Sequence, residues 1–297
     1  MNLWKQWVRS PQSFWLRVAV FQIHLWTGIA VGLYVFVLCV SGSILVYRNE
    51  LFRAFAKPPT IVQVSDTRLT QEQLKDAALL AYPQYEVAGV WPSKFANRAV
   101  ELQLERRGRR IQRLFDPYTG KDLGNPLRVG FRVTNWLIDL HDNLLWGRTG
   151  RLVNGIGALF LTLLCFTGLI VWWPGIKKWR RSLTIEFAAG WRRFNWSAHG
   201  ALGIWFMAFT LMWGISGIYF SFPAPFDAAS HFLDPVDEAT GSNRFGDQAV
   251  YALAYAHFGR FAGWPSQLVW AIAGLVPPAL FVTGVLMWVS RVVRNRR

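Results

Sequence analysis

Four long segments without charged residues dominate the pattern of apolar and polar positions along the chain. They cover residues 18–47, 152–176, 194–226 and 261–290. Each is longer than the roughly 20 residues that an α-helix needs to cross a hydrocarbon core about 30 Å thick. The pattern therefore predicts four transmembrane helices, with a kink in the fourth where Pro277 and Pro278 interrupt the backbone hydrogen bonds.

The composition supports a membrane protein, since 53% of the residues are hydrophobic and only 16% are charged. The first segment is too long for the apolar part of a secretory signal, which spans about 7–15 residues. Arg48-Asn49-Glu50 follows it, where a signal peptide would need small residues for cleavage. We therefore expect the first helix to stay uncleaved and to anchor the chain in a lipid bilayer.

Basic residues near the segment ends predict the orientation, because Lys and Arg collect on the cytoplasmic side of membranes. Residues 1–17, 177–193 and 291–297 together hold thirteen basic residues and one acid, Glu186. We therefore expect both termini in the cytoplasm and the connections 48–151 and 222–260 outside. Most of the formal net charge of +15 is thus charge that flanks the membrane, which argues against a nucleic-acid partner.

Residues 48–126 have the pattern of a small soluble domain inserted between the first two helices. Thr70-Gln71-Glu72-Gln73 has the form of a capping box, and apolar spacing continues it as a helix that ends near Pro83. Short alternating or β-branched runs at 86–91, 98–104 and 110–116 predict strands, closed by a turn at 116–120. We expect one helix on a three-stranded antiparallel sheet.

Four of the five histidines lie in a twofold internal repeat. His24 precedes a glycine by four residues and a Ser-Gly pair by 17 and 18, and His199 does the same. His141 and His257 likewise share their distances to a glycine, a Thr-Gly pair and a tryptophan. The repeated residues are Gly28, Ser41-Gly42, Gly147, Thr167-Gly168 and Trp172 in the first half and Gly203, Ser216-Gly217, Gly263, Thr283-Gly284 and Trp288 in the second.

The predicted topology places the repeat partners at equal depth, His24 with His199 near the cytoplasmic face and His141 with His257 near the outer face. A polar side chain in a bilayer is costly without a partner, so such histidines are functional candidates. Two same-depth pairs suit two b-type haems, each iron held by two imidazoles from facing helices. Gly28 and Gly203, one turn from the inner histidines, would leave a porphyrin room against the backbone, and Gly32 continues that face.

Other interpretations of these residues stay open. Glycines four residues apart also serve close helix packing, and a membrane histidine often only hydrogen-bonds across a helix interface. A metal site without haem is disfavoured, because no Cys, Asp or Glu cluster completes a tetrahedral set at either depth. Asp142 could orient the imidazole of His141. His231 lies outside the repeat, in an acidic outer loop, and is interpreted as a solvated residue.

At these positions the chain resembles known families. The helix, the strands and the closing Asp116-Pro117-Tyr118-Thr119-Gly120 are similar to a PepSY domain. The apolar segments resemble the PepSY-associated transmembrane family through His24-x3-Gly28, Leu140-His141, His199-x3-Gly203 and Thr167-Gly168-Leu169 followed by Trp172-Trp173. That family includes iron-regulated inner-membrane proteins of Gram-negative bacteria, among them reductases of ferric siderophores such as ferrioxamine and pyoverdine. The resemblance implies an inner-membrane oxidoreductase whose periplasmic acceptor is ferric-siderophore iron.

The chain departs from the longer relatives in one respect, since residues 222–260 are too few for a second periplasmic domain. We therefore expect no second periplasmic domain to contribute to substrate capture. The expected fold is a membrane all-α protein. It is a four-helix transmembrane bundle built from a twofold two-helix repeat, with a small α+β PepSY-like periplasmic domain between helices 1 and 2.

The expected function is transmembrane electron transfer through two b-type haems to a ferric siderophore or another periplasmic acceptor. A quinol or a separate protein would supply the electrons, because no Gly-rich dinucleotide fingerprint is visible and the cytoplasmic segments are too short for a flavin or nicotinamide domain. Two alternatives remain. One is a non-catalytic PepSY membrane module that binds or restrains a periplasmic partner, and the other is a cytochrome b subunit of a larger reductase.

Overall fold

The computed structural model describes residues 7–9, 11–55, 59–106, 109–125, 129–233 and 245–295. The chain divides into two compact units. One comprises Met1–Tyr47 and Trp136–Arg297, and the other comprises Arg48–Asn135. The soluble domain expected at 48–126 lies within the second unit.

The described part of the chain is mostly helical. Its helices are α1 (Trp15–Leu45), α2 (Arg48–Phe55), α3 (Gln71–Ala81), α4 (Val129–Asn143), α5 (Gly147–Trp172), α6 (Trp191–Trp205), α7 (Met207–Ser221), α8 (Pro223–Leu233), α9 (Phe245–Phe258), α10 (Trp264–Gly274) and α11 (Val276–Asn295). The strands are β1 (Glu86–Trp91), β2 (Val100–Arg106), β3 (Arg109–Phe115) and β4 (Asp122–Gly124).

Three helical segments among the described residues are long and apolar enough to cross a membrane. They are α1, α5 and the segment Trp264–Arg294, which joins α10 to α11. The third predicted segment is instead broken, because α6 and α7 meet at an angle of 61° and pass the same test only as a pair. The described residues therefore contain three candidate spans, or four if the bent pair forms one span.

The two helix breaks have different origins. The fourth segment is interrupted at Leu275, two residues before Pro277, and Pro277 and Pro278 lie in the first turn of α11, where the sequence predicted a kink. The third breaks at Phe206, whose φ of −104° and ψ of 9° leave the α-helical region. No proline or glycine adjoins Phe206, so the hydropathy pattern carried no sign of this second break.

Helix α1 packs against α5, α10 and α11, while α5 packs against α7 and α6 packs against α11. Glycines permit the closest of these contacts. A Cβ on Gly32 of α1 would lie 2.0 Å from Cδ2 of Phe281 in α11, and one on Gly157 of α5 would lie 2.2 Å from Cζ of Tyr34 in α1. Such small residues let membrane helices approach without the help of a hydrophobic driving force.

Glycine is also required where α5 and α10 begin. Gly147 and its repeat partner Gly263 have positive φ values of 57° and 65°. A side chain at either position would strain the backbone, since residues other than glycine rarely adopt this region. The repeat in the sequence therefore reflects a repeated backbone turn before each of these helices.

The second unit contains an antiparallel sheet with strand order β1-β2-β3-β4, and α3 packs on β1. Its buried core comprises Leu74, Ala78, Val100, Leu102, Leu104 and Phe115. The predicted capping box is confirmed, because the Thr70 hydroxyl accepts from the backbone N–H of Gln73 while the Gln73 side chain accepts from that of Thr70. The three predicted strands are also confirmed, but the short strand β4 was not predicted.

Strand β4 is held to β3 by a charged cluster. Arg113 of β3 and Asp122 of β4 form a partly buried ion pair, and the Tyr82 hydroxyl donates to the same carboxylate. Burial raises the pKa of Asp122, but hydrogen bonds from Arg113, Tyr82 and the backbone N–H of Gly124 lower it by more, so the net shift is downward. Burial and the neighbouring carboxylate raise the pKa of Tyr82 to about 12.

Candidate functional site

The helices bring the four repeated histidines together as two pairs. His24 of α1 faces His199 of α6 with ring centroids 6.5 Å apart and an interplanar angle of 87°. His141 of α4 faces His257 of α9 at 6.2 Å and 62°. The predicted pairing between the two halves of the chain is therefore observed as proximity. The assignment of these imidazoles as metal ligands stays a prediction.

We call His24 and His199 the inner pair and His141 and His257 the outer pair, after their expected positions. The Thr-Gly pairs of the repeat lie against the inner histidines. A Cβ on Gly168 would lie 3.1 Å from Cε1 of His24, and one on Gly284 would lie 3.5 Å from Cε1 of His199. At the outer pair, a Cβ on Gly42 would lie 2.8 Å from Cε1 of His141. These glycines allow an imidazole ring to rest on the backbone of the neighbouring helix.

The threonine of each Thr-Gly pair binds the Nδ1 atom of an inner histidine. Thr167 Oγ1 lies 2.9 Å from Nδ1 of His24, and Thr283 Oγ1 lies 2.8 Å from Nδ1 of His199. Each hydroxyl donates its own proton to a backbone carbonyl one turn earlier, that of Leu163 or Ala279, at 2.8 Å. The hydroxyl can therefore only accept from the imidazole, so Nδ1 carries the proton and Nε2 has the free lone pair.

The serines of the repeat have the equivalent role at the outer pair. Nδ1 of His257 lies 2.6 Å from Ser216 Oγ, which donates to the carbonyl of Met212 at 2.7 Å. Nδ1 of His141 lies 3.1 Å from Ser41 Oγ and 3.0 Å from the carbonyl of Leu38. Because a carbonyl oxygen only accepts, His141 must donate from Nδ1. All four histidines therefore have the same tautomer.

The backbone around the outer pair is held by polar side chains of the membrane helices. Asn154 of α5 donates to the carbonyl of His141 at 2.7 Å, and Trp213 of α7 donates to that of His257 at 3.3 Å. Burial lowers the pKa of both histidines, with repulsion from His141 adding to the effect at His257. Both imidazoles are thus neutral near neutral pH, the form that binds metals.

The geometry of both pairs suits a metal ion placed between two imidazoles. Since an imidazole nitrogen lies about 2.0–2.1 Å from a bound first-row metal, two such rings on opposite sides have centroids roughly 6 Å apart. The observed 6.5 and 6.2 Å agree with this spacing. Within the described residues no group of three or more His, Cys, Asp or Glu side chains could hold a metal. Haem would supply four further ligands through its ring nitrogens.

The glycines predicted to make room for a porphyrin have different surroundings. A Cβ on Gly28 would meet only Leu164 Cδ2, at 3.8 Å, and one on Gly203 would meet only Leu280 Cδ2, at 3.9 Å. Leu164 and Leu280 are themselves equivalent in the repeat. The face of Gly32, in contrast, is covered by Phe281. The expectation that Gly32 extends this face for a porphyrin is therefore wrong, since that glycine serves helix packing.

Two other candidate residues lie apart from the pairs. Asp142 forms an ion pair with Arg151 at 2.6 Å, while the acceptors at Nδ1 of His141 are Ser41 and Leu38. The expectation that Asp142 orients His141 is therefore wrong. His231 is exposed, as expected, but it lies in the last turn of α8 and not in a loop.

Four hydroxyl residues that mark the repeat contact the histidines, a role that was not predicted from the sequence. Their signal was their fixed distance from a histidine in both halves, at Ser41, Ser216, Thr167 and Thr283. The sequence did not reveal this role because each hydroxyl binds a histidine of another helix. The two partners are 100 residues apart for Ser41, 41 for Ser216, 143 for Thr167 and 84 for Thr283.

Comparison with known proteins identifies the family of the chain. The family described as PepSY-associated TM region matches residues 21–238 and 233–291. An uncharacterized protein of Pseudomonas aeruginosa is 30% identical over 84 residues, which are 27% of this chain and 20% of that protein. The matched region thus spans about a fifth of that relative. The family match covers both histidine pairs and most of the chain, so the chain belongs to the PepSY-associated transmembrane family.

Proposed function

We propose that this protein is a di-haem b transmembrane electron-transfer protein that reduces a periplasmic acceptor. His24 and His199 would hold one haem, and His141 and His257 the other. Haem iron supplies reversible one-electron transfer when it is bound. The observation that carries the proposal is the presence of two histidine pairs, each with a spacing suited to two ligands of one metal.

The separation of the pairs along α1 supports a role across the membrane. His24 lies in the first third of this helix, whereas Leu38 and Ser41, which contact His141, lie near its other end. Between 14 and 17 residues at 1.5 Å per residue amount to roughly 20–25 Å. That length is a large part of a hydrocarbon core about 30 Å thick. Two sites at such a separation suit a relay between the two faces.

The charges of the flanking segments support a direction. The basic segments 1–17, 177–193 and 291–297 adjoin the helix ends that lie nearest to His24 and His199. By the positive-inside rule this end faces the cytoplasm of a bacterial inner membrane. The inner pair would then be the site of electron entry from the cytoplasmic side or the quinol pool, and the outer pair would be the site of exit.

Ferric-siderophore iron is the acceptor that the family resemblance favours. One-electron reduction weakens the binding of iron by hard oxygen donors and releases Fe(II) from the chelate. In this proposal the periplasmic domain helps to position the acceptor or a partner protein. No general acid or nucleophile is required of the protein.

The first experiment asks whether the protein binds haem. Membranes from an overexpressing strain supplied with iron and haem precursors are compared before and after reduction with dithionite. We expect a b-type difference spectrum that purifies with the protein. Its absence from folded, purified protein would contradict the proposal and favour the non-catalytic PepSY module.

A second experiment separates a ferric-siderophore reductase from a cytochrome b subunit. The purified protein is reduced chemically, freed of excess reductant and mixed with a panel of ferric siderophores in the presence of an Fe(II) trap. We expect haem reoxidation and trapped Fe(II) with at least one chelate. If no chelate reoxidises the haem, a protein acceptor is favoured.

A further inference from the structure

We infer that Thr167, Thr283, Ser216 and Ser41 are positioning residues that hold each histidine with its proton on Nδ1 and direct Nε2 to the metal. The inference rests on the proposed function, because it concerns the same four histidines. It goes beyond that function in assigning the residues that set the tautomer and the basicity of each ligand. It also predicts that the four positions differ in importance.

The direction of each hydrogen bond is fixed by the second contact of the hydroxyl. A hydroxyl has a single proton, and Thr167, Thr283 and Ser216 each have a backbone carbonyl one turn earlier within 2.8 Å. Their remaining lone pairs face Nδ1 of the histidine at 2.6–2.9 Å. A hydroxyl can donate or accept, but here its proton is used by the backbone carbonyl, so it accepts from the imidazole. This acceptor fixes the imidazole tautomer.

Backbone carbonyls also accept from three of the histidines, that of Leu164 from His24, that of Leu280 from His199 and that of Leu38 from His141. The carbonyl of Leu38 lies 3.0 Å from Nδ1 of His141, slightly closer than the Ser41 hydroxyl at 3.1 Å. A carbonyl fixes the tautomer without any side chain. Loss of the Ser41 hydroxyl should therefore matter little, whereas loss of its repeat partner Ser216 leaves Nδ1 of His257 without its acceptor.

These hydrogen bonds should also affect the redox potential. An acceptor at Nδ1 increases the basicity of the imidazole, and a more basic ligand stabilises the oxidised, more positive iron. Valine has nearly the shape of threonine but accepts no hydrogen bond. Removing the acceptor should therefore raise the midpoint potential of the haem whose ligand has lost it.

The test uses purified full-length protein with haem bound. We compare Thr167→Val with wild type by haem content, by redox titration and by the ferric low-spin electron paramagnetic resonance signal. We expect a raised midpoint potential and an altered signal at one of the two haems, with a smaller shift than Ser216→Ala gives, because the Leu164 carbonyl still accepts from His24. Thr167→Ser keeps the hydroxyl and should restore the potential.

Thr162→Val is the matched control for Thr167→Val. Thr162 lies on the same helix and its hydroxyl also donates to a carbonyl one turn earlier, that of Ala158 at 2.9 Å, but it has no histidine contact. We expect this variant to resemble wild type. If Thr167→Val leaves both haems unchanged, or if Thr162→Val has the same effect, the inference is overturned.

The serines give a second contrast within the outer pair. Ser216→Ala should shift the potential of the outer haem, while Ser41→Ala should shift it less because Leu38 still accepts from His141. Equal shifts, or a larger shift for Ser41→Ala, would contradict the assignment.

A measurement on haem-free protein distinguishes failure of the inference from failure of the proposed function. With ¹⁵N-labelled histidine, the spectrum should show protonated Nδ1 and unprotonated Nε2 at His24 and His199, altered by Thr167→Val and Thr283→Val respectively. An Nε2–H tautomer in wild type overturns the inference. If wild type shows the Nδ1–H tautomer but never binds haem, the function is wrong and the positioning role of the hydroxyls stands.

Discussion

The imidazoles of His24 and His199 lie 6.5 Å apart between ring centroids, although 175 residues separate them in the sequence. Helix α1 supplies one ring and α6 supplies the other, and each ring is held through Nδ1 by a threonine of a further helix. The residues of this pair and their hydrogen-bond partners thus come from four helices, two from each half of the repeat.

Single histidine substitutions should remove one haem and leave the other. His24→Ala and His199→Ala should each reduce the haem content from two per chain to one, because a haem iron that has lost one of two ligands is bound weakly. His141→Ala and His257→Ala should each remove the other haem. His24→Ala and His199→Ala should keep the same haem and therefore show the same spectrum. His141→Ala and His257→Ala should share a different spectrum, that of the other haem. Loss of both haems from every variant, or of none, would argue against pairing by depth.

Gly32→Ala should destabilise the protein, because the new Cβ would lie 2.0 Å from Cδ2 of Phe281. Overpacking of this kind typically costs about 1–3 kcal/mol. Thermal unfolding of the purified protein should therefore begin at a lower temperature. Gly28→Ala, on the same helix, is the control, since its Cβ would make only an ordinary contact of 3.8 Å with Leu164. Both variants are compared as haem-free protein, so that haem binding does not affect the result. Equal stability of the two variants would contradict the packing of Gly32 on Phe281.

Thr70→Ala should loosen the start of α3. The substitution removes the side chain that accepts from the N–H of Gln73, and loss of such a cap typically costs about 1 kcal/mol. Hydrogen exchange followed by mass spectrometry should be faster in peptides that cover residues 70–81. Thr70→Ser keeps the cap and should exchange at nearly the wild-type rate. Unchanged exchange in Thr70→Ala would mean that the capping box does not stabilise this helix.

Asp122 should make the second unit sensitive to acid. Its pKa is lower in the folded chain than in the unfolded chain, so its stabilising effect is complete above the unfolded value of about 3.9 and is lost as the pH falls through the folded value. Asp122→Asn should therefore unfold more easily than wild type near neutral pH, and the difference should shrink below about pH 4. Calorimetric unfolding at a series of pH values would measure this.

Glu105→Gln provides the comparison for Asp122→Asn. Glu105 pairs with Arg110 at 2.7 Å, but the side chain of Arg110 is 62% exposed, and such surface pairs contribute little. We expect a much smaller change in stability. A difference between Asp122→Asn and wild type that stays constant down to the lowest pH would show that the charge of Asp122 is not the cause.

The sequence predicted the two histidine pairs because the internal repeat relates His24 to His199 and His141 to His257, and the hydropathy pattern predicts a similar depth for the two members of each pair. It also predicted α3 and strands β1 to β3, where local signals such as the capping box at Thr70 agree with the packing. It did not predict β4, since three residues that include Gly124 are too few for a periodic pattern. Strand β4 depends instead on the tertiary contact between Asp122 and Arg113.

Residues that act across helices were the least predictable. The break at Phe206 has no local signal, and the partner of Gly32 is Phe281, which lies 249 positions further along the chain. The acceptors at Nδ1 depend on which faces of two helices meet, and hydropathy does not specify that choice. Only the repeat carried this information, in the fixed spacing between each histidine and a Thr-Gly or Ser-Gly pair.

The number of haems bound per chain tests the central claim most directly. The purified full-length protein is assayed for b-type haem and for protein concentration in the same sample. We predict two haems per chain in wild type and one in His24→Ala. Folded wild-type protein that binds no haem after supplementation, or that keeps its full content in His24→Ala, would contradict the account.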